Sequence, residues 1–543
     1  MAGYFLSSRS MPWWLVLLSI IGTQASAITF LSAPGQAYTD GMRFVQYYFG
    51  LPLAMVVISA VFVPIYSRLK VFTAYEYLQS RFDLKTRTLA SILFLAGRGA
   101  STGISIYAPA IIVSSLLGWN IYLTNLLMGG LLIVYTVSGG AKAVAYTQQL
   151  QFFIIMAGMG AAAFVAVYHL PEGVGFFDAI RIGGNAGKMN VITSGIEDGR
   201  FDWQNRYNLL SGIIGGFFLA LSYFGTDQSQ VGRYLTAKNT RESRLGLILN
   251  GFVKIPMQFF ILLVGVLVFA FYQYNKAPVF FNQTMVAQAN KSKQSDAFLK
   301  LEARYNLLND SLIRMQLSPE LGGEKQQRIY QLHTQMDASR ADYSALLSQA
   351  VSSGETNDTN YIFLYFVTQN LPRGLVGLLI AVIIMAAWGS IAAALNSLAS
   401  STVIDIHHKL INTQCDEASS YKLSKQYTLG WGIFCIAVAM FATNMGSLIE
   451  AVNILGSLFY GVILGLFLVA FFVKSVKGNA VFWSAVFSEL AVITIYQMKV
   501  VSFLWLNAIG ALLVLGLGLV FQWLVFNRKS EKGRTDSQPA GGV

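Results

Sequence analysis

Runs of about twenty apolar residues, parted by short polar connections, recur from residue 11 to within about twenty residues of the C-terminus. A helix of that length crosses the ~30 Å hydrocarbon core of a bilayer. The pattern predicts twelve spanning helices, at 11–34, 44–66, 87–117, 120–138, 146–169, 207–224, 246–274, 370–401, 424–443, 447–473, 479–499 and 502–527. The fold class is therefore all-α, a polytopic membrane bundle. Between the seventh and eighth runs the period changes. Leu301, Tyr305, Leu308, Leu312 and Met315 recur at three- and four-residue steps, "LSPELGG" interrupts them, and Ile329, Leu332, Met336, Tyr343 and Leu347 resume. This predicts a helical hairpin of two amphipathic helices, either a solvent-exposed decoration or a lid or docking element.

Charge orients the bundle. Arg68, Lys70, Arg81, Lys85 and Arg87 fall in one connection, Arg233, Lys238, Arg241 and Arg244 in another, and Lys142, Lys474, Lys477, Arg528 and Lys529 mark three more. If every run spans, all lie on one side, which the positive-inside rule makes cytoplasmic together with both termini. The expected location is integral to the plasma (inner) membrane, with the insertion on the outer side.

Composition narrows the function. Of 543 residues 55% are hydrophobic and 12% charged, which places the lipid bilayer as solvent. The net charge of +12 sits in the connections, with no basic face interleaved with aromatics, so nucleic acid is not an expected partner. Cys415 and Cys435 have no metal-ligand spacing, and "DIHHKL" lacks further ligands beside His407 and His408, so no metal is expected at either place. No H-E-x-x-H pair or phosphate-binding glycine loop appears, and carboxylates within the runs are too few for acid–base chemistry; the chain is not expected to be an enzyme.

Two runs carry polar interruptions five helices apart. The first is broken by Gly22 to Ser26 in "SIIGTQASAITF", the sixth by Gly215, Gly216 and "SYFGTDQSQ". Either these small residues let helices pack closely, or the helices come apart there, exposing carbonyls to a cation and half-helix N-termini to an anion. The eighth run, "AAWGSIAAALNSLASSTVID", is also rich in small and hydroxyl residues. Arg98 lies mid-run, on the side of Phe94, Ser101 and Ser105; it either meets a substrate carboxylate or pairs within the bundle. Lys254 reads as near enough to a helix end to snorkel.

Several stretches resemble the sodium:solute symporter family: "YFLSSRSMPWW" (4–14), "TAYEYLQSRFD" (73–83), "YAPAIIVSSLLGW" (107–119), "SGGAKAVAYTQQLQFF" (138–153), "GTDQSQVGRYLTAKN" (225–239) and "LNSLASSTVID" (395–405). They are nearest in motif to the iodide, monocarboxylate and multivitamin branch. The resemblance implies the LeuT-type fold of five plus five inverted-repeat helices, alternating access, sodium as coupling ion and no cofactor. It divides the chain into 1–274 (core helices 1–7), the insertion 275–369, 370–473 (core helices 8–10), 474–527 (two peripheral helices) and a disordered tail, 528–543. Family members usually carry one more helix before the "YFLSSRSMPWW" stretch, so a lost first helix or a truncated start is expected.

Carried over residue by residue, the resemblance puts sodium on the carbonyls of Gly22 and Ala25 and on Ala386, Gly389 and Ser390. Gly389 stands where a hydroxyl is usual. Gln148 in "YTQQLQ" replaces an aspartate, and Ala392 and Ala393 lack hydroxyls that some relatives use for a second sodium. A single, weakened sodium site is expected. Gln24, Ser26, Thr29, Tyr48, Arg98, Ser101, Tyr223 and Phe224 are the expected substrate contacts. Thr29, Tyr48 and Ser101 replace the sugar branch's clamps, which disfavours sugar and favours a small organic anion or carboxylate. A sodium-independent or proton-coupled carrier of the same fold is the alternative, and a non-transporting sensor a further one.

Overall fold

A computed structural model describes residues 11–24, 26–69, 73–138, 141–318, 322–351, 356–412, 417–442 and 446–526. Ala25, Cys415 and the tail from residue 527 lie outside them, as does the side chain of Gln148.

Each of the twelve apolar runs forms helix. The first is two helices, α1 (Trp13–Gln24) and α2 (Ala27–Asp40), meeting at 60°. There follow α3 (Met42–Arg68), α4 (Leu84–Leu117), α5 (Ile121–Ser138) and α6 (Ala141–Tyr168). The sixth run is again two helices, α7 (Ser211–Thr226) and α8 (Gln228–Tyr234). Next come α9 (Thr240–Phe271), the hairpin α10 (Ser295–Leu317) and α11 (Gly323–Ala350), and α12 (Thr359–Asn370). α13 (Arg373–Ile411), α14 (Glu417–Phe441), α15 (Leu448–Phe472), α16 (Gly478–Gln497) and α17 (Phe503–Phe521) complete the chain. Among the described residues eight helices are long and apolar enough to cross a membrane alone, and a ninth span results if α1 and α2 count as one. The twelve expected crossings thus rest partly on broken, short or more polar helices.

The outward faces of these helices carry the apolar residues that lipid would cover, such as Leu126, Leu131, Val134 and Phe164, while small and polar side chains turn inward. Thr86, Arg87, Ser91, Ser101 and Thr102 are all buried along α4. α4 starts on Asp83, whose carboxylate accepts from Thr86 N at 2.9 Å, and ends on Gly118 at φ +68°, the left-handed turn that glycine tolerates. At the Asp83 end, Arg87 donates to Asp405 at 2.9 and 2.6 Å, and Ser401 and Thr73 complete that carboxylate at 2.6 and 2.7 Å. A buried ion pair with this many hydrogen bonds is well compensated.

The hairpin follows its periodicity. Phe298, Tyr305 and Leu312 of α10 interlock with Met336, Tyr343 and Leu347 of α11 in a small core of their own. Arg340 of α11 forks onto Asp358 at 2.8 and 3.0 Å, and the same carboxylate accepts from Phe281 N at 2.6 Å. Asp358 opens α12, which lies along α2; Gly35 of α2 faces the Thr359 carbonyl so closely that a side chain there would collide with it.

Candidate functional site

The first break has no side-chain cap. α1 stops at Gln24, and Ser26, extended at φ −76° and ψ 170°, starts α2 without bonding its amides. Thr29 Oγ donates back across the gap to the Gln24 carbonyl at 3.1 Å.

The second break is capped tightly. Of the two places where the sequence reading put the interruption, the helix does not part at Gly215 and Gly216, where the backbone makes one wide π turn at Ser211–Gly215 and continues, but inside the polar stretch "SYFGTDQSQ". It parts at Asp227, whose carboxylate accepts from Ser229 N at 2.8 Å and Ser229 Oγ at 2.5 Å, capping α8. Tyr460 Oη donates to the same carboxylate at 3.0 Å, and Arg98 Nη1 stands 3.9 Å away. The carbonyls left at the end of α7 are covered too: Tyr66 donates to Gly225 O at 2.7 Å and Tyr75 to Thr226 O at 3.0 Å.

Between the breaks lies one cavity of about 140 Å³. Gln24, Ser26, Thr29, Tyr48, Arg98, Ser101, Tyr223 and Phe224, the eight expected substrate contacts, all line it. Gln24 donates to Asn250 at 3.3 Å, and Gln230 to the Tyr223 hydroxyl at 2.7 Å. Arg98 lies 5.9 Å above the Tyr223 ring, an attractive cation–π distance. Ser101 sits in the letters G-A-S-T-G, the pattern of a hydrolase nucleophile elbow, yet it is mid-helix and donates to Gly97 O at 2.8 Å. The strand-to-helix corner that such chemistry needs is not there.

Of the expected cation ligands, Ser390 lines the cavity, donating its hydroxyl hydrogen to Ala387 O at 2.9 Å and keeping its lone pairs free. Gly22, Ala386 and Gly389 are buried behind that wall, and Ala25 lies outside the described residues.

Lys254 corrects the sequence reading. It does not snorkel: it is 1% exposed, lines the cavity, and holds its ammonium 5.4 Å from the Tyr48 ring. α9 starts at Thr240, six residues before the predicted limit, so Lys254 stands about 21 Å along the helix axis at 1.5 Å per residue. Asp227, Tyr47, Asn453 and Tyr460 were likewise passed over. The signal for Asp227 was an Asp two residues ahead of Ser229 in a polar stretch, the spacing of a helix cap.

A cavity lined by charged, hydroxyl and aromatic side chains and walled by two interrupted helices five spans apart points to the class of secondary transporters. The family model described as "Sodium:solute symporter family" matches residues 4–317 and 340–487. The chain belongs to that family, whose members are transporters rather than enzymes. Among similar proteins, the sodium-dependent multivitamin transporter of Oryctolagus cuniculus is 26% identical over 86% of this chain, which spans 61% of that relative's length. The sodium/sialic acid symporter SiaT of Proteus mirabilis is 24% identical over 95% of this chain and 88% of its own. The human sodium/iodide cotransporter is 29% identical over 46% of this chain and 37% of its own. A solved Na+-coupled sialic acid symporter, substrate-bound and outward-open, superposes with a TM-score of 0.72 at 22% identity, over 96% of this chain and 92% of that one. The fold is thus the LeuT-type inverted-repeat bundle, and the protein is integral to a membrane.

Proposed function

We propose that this protein is a secondary active transporter that imports a small organic anion or carboxylate together with sodium, by alternating access across the plasma (inner) membrane, with both termini cytoplasmic and the 275–369 insertion outside. The observation that carries the reading is the convergence of the eight substrate candidates and Ser390 on one cavity beside two broken helices.

Sodium binds between α1 and α13, on carbonyls of Gly22, Ala25, Ala386 and Gly389 and the hydroxyl of Ser390, an all-oxygen set suited to a hard cation. Substrate sits alongside, its carboxylate toward Arg98, its body against Gln24, Ser26, Thr29, Tyr48 and Ser101, with Tyr223 and Phe224 closing one side. Coupling requires that ion and substrate favour the same conformation, a reciprocal term of about 1–3 kcal/mol. Gly389, which gives no hydroxyl, favours a second reading, a sodium-independent or proton-coupled carrier. Uptake into proteoliposomes under a sodium gradient, a pH gradient or neither separates them. Sodium stimulation is expected; identical rates with and without sodium would sink sodium coupling and leave the carrier.

A further inference from the structure

Arg98 and Lys254 both line the cavity, and among the described residues Asp227 is the one carboxylate within 4.0 Å of either. Asp227 is already engaged by Ser229 and Tyr460, and its 3.9 Å from Arg98 exceeds a hydrogen bond. Arg98 Nε is buried without a partner. Lys254 is more isolated: no hydrogen bond or ion pair reaches its ammonium among the described residues, and the Tyr48 ring is the one charge contact it makes.

An ammonium taken out of water without a counter-charge is costly, and a ligand that brings the counter-charge recovers that cost on binding. Arg98 and Lys254 bring two positive charges to the cavity lining, and Asp227, which stands outside the lining 3.9 Å from Arg98, offsets one, so the three groups sum to +1. A bound sodium raises the sum to +2. A monoanion would leave positive charge on the cavity lining uncompensated, whereas a dianion neutralises it.

We propose that the substrate is a dianion, a dicarboxylate or another small molecule with two acidic groups, with one end on Arg98 and the other on Lys254. This rests on the organic-anion reading of the same cavity and narrows it.

The test is competition binding to the purified full-length protein, with sodium, by three chain-matched pairs: malonate against propionate, succinate against butyrate, glutarate against pentanoate. At least one dicarboxylate should bind ten times or more tighter than its partner, since one well-placed ion pair is worth about a factor of ten or more. Lys254→Met should bring that ratio to within about threefold, while Lys254→Arg preserves it. The proposal is overturned if monocarboxylates bind as tightly as dicarboxylates, or if the ratio survives in Lys254→Met. Binding by monocarboxylates alone overturns the dianion and leaves the organic-anion reading standing; binding by none of the six removes both. Should Lys254→Met fail to fold, the wild-type ratio and Lys254→Arg decide.

Discussion

The two broken helices face one cavity and are built in opposite ways. The break after Gln24 is neutral, uncapped and bridged by one hydroxyl, that of Thr29. The break at Asp227 is charged, capped by its own carboxylate, and stitched to Tyr460, Tyr66 and Tyr75. Unsatisfied backbone inside a membrane is stable only against protein or a wet cavity. The second break is satisfied by protein. Among the described residues one side-chain bond, from Thr29, crosses the first, so ligand should order the first and barely touch the second.

The largest way to break this contrast is Asp227→Ala, which uncaps α8 and strips Arg98 of its counter-charge. Losing one partner of a buried pair costs about 3–5 kcal/mol, so thermal stability in detergent should fall steeply, with no recovery on adding sodium. Ser390→Ala acts on the other side. Removing one oxygen donor costs about 1.4 kcal/mol, near a tenfold rise in the sodium concentration for half-maximal uptake, at little cost to stability. A sodium dependence equal to wild type would remove Ser390 from the ion site. Thr29→Val is milder, at about 1 kcal/mol. Hydrogen exchange should quicken at the α1–α2 junction, slow again on adding ligand, and stay unchanged around Asp227.

The smallest effect lies outside both breaks. His333 of α11 stacks on Phe269 at 5.7 Å, and burial lowers its pKa from 6.5, with Asp337 partly opposing. Since the docked state holds the histidine neutral while the open state protonates near 6.5, docking is fully favoured above that pH. It weakens as pH falls from 6.5 through the depressed value. Exchange in Gly323–Ala350 should rise over that window, and His333→Phe should flatten the response while leaving both breaks as they were.

Much of this could be read from the letters. Apolar period placed the helices of all twelve runs but not α12, which it left inside the insertion, and five of the hairpin's six interlocking residues, all but Phe298, were among those that the three- and four-residue steps picked out. Some substrate candidates came from family motifs matched residue by residue, Arg98 from a charge inside an apolar run and Gln24 and Ser26 from the polar interruption, and all eight line the cavity. The failures share a cause. Hydropathy marks where a helix is greasy, not where it starts, so the polar first turns of α9, from Thr240 to Arg244, were assigned to a connection and Lys254 was set near the end. In the sixth helix the glycines drew attention because glycine weakens a helix, yet they serve contact: Gly215 faces Leu504 of α17 and Gly216 the Tyr47 carbonyl. The aspartate that parts the helix does so through partners on α8 and α15, 2 and 233 positions away. The first pairing is a local cap spacing; the second lies beyond any local pattern.

The tyrosine bonds at the end of α7 bear on the denticity of the cation site. Gly225 O and Thr226 O are the acceptors that a broken helix would ordinarily offer an ion, and here two phenols already hold them at 2.7 and 3.0 Å. Among the described residues no tyrosine hydroxyl holds a carbonyl of the first interruption, so the proposed cation site would be a chelate of α1 and α13 without help from α7.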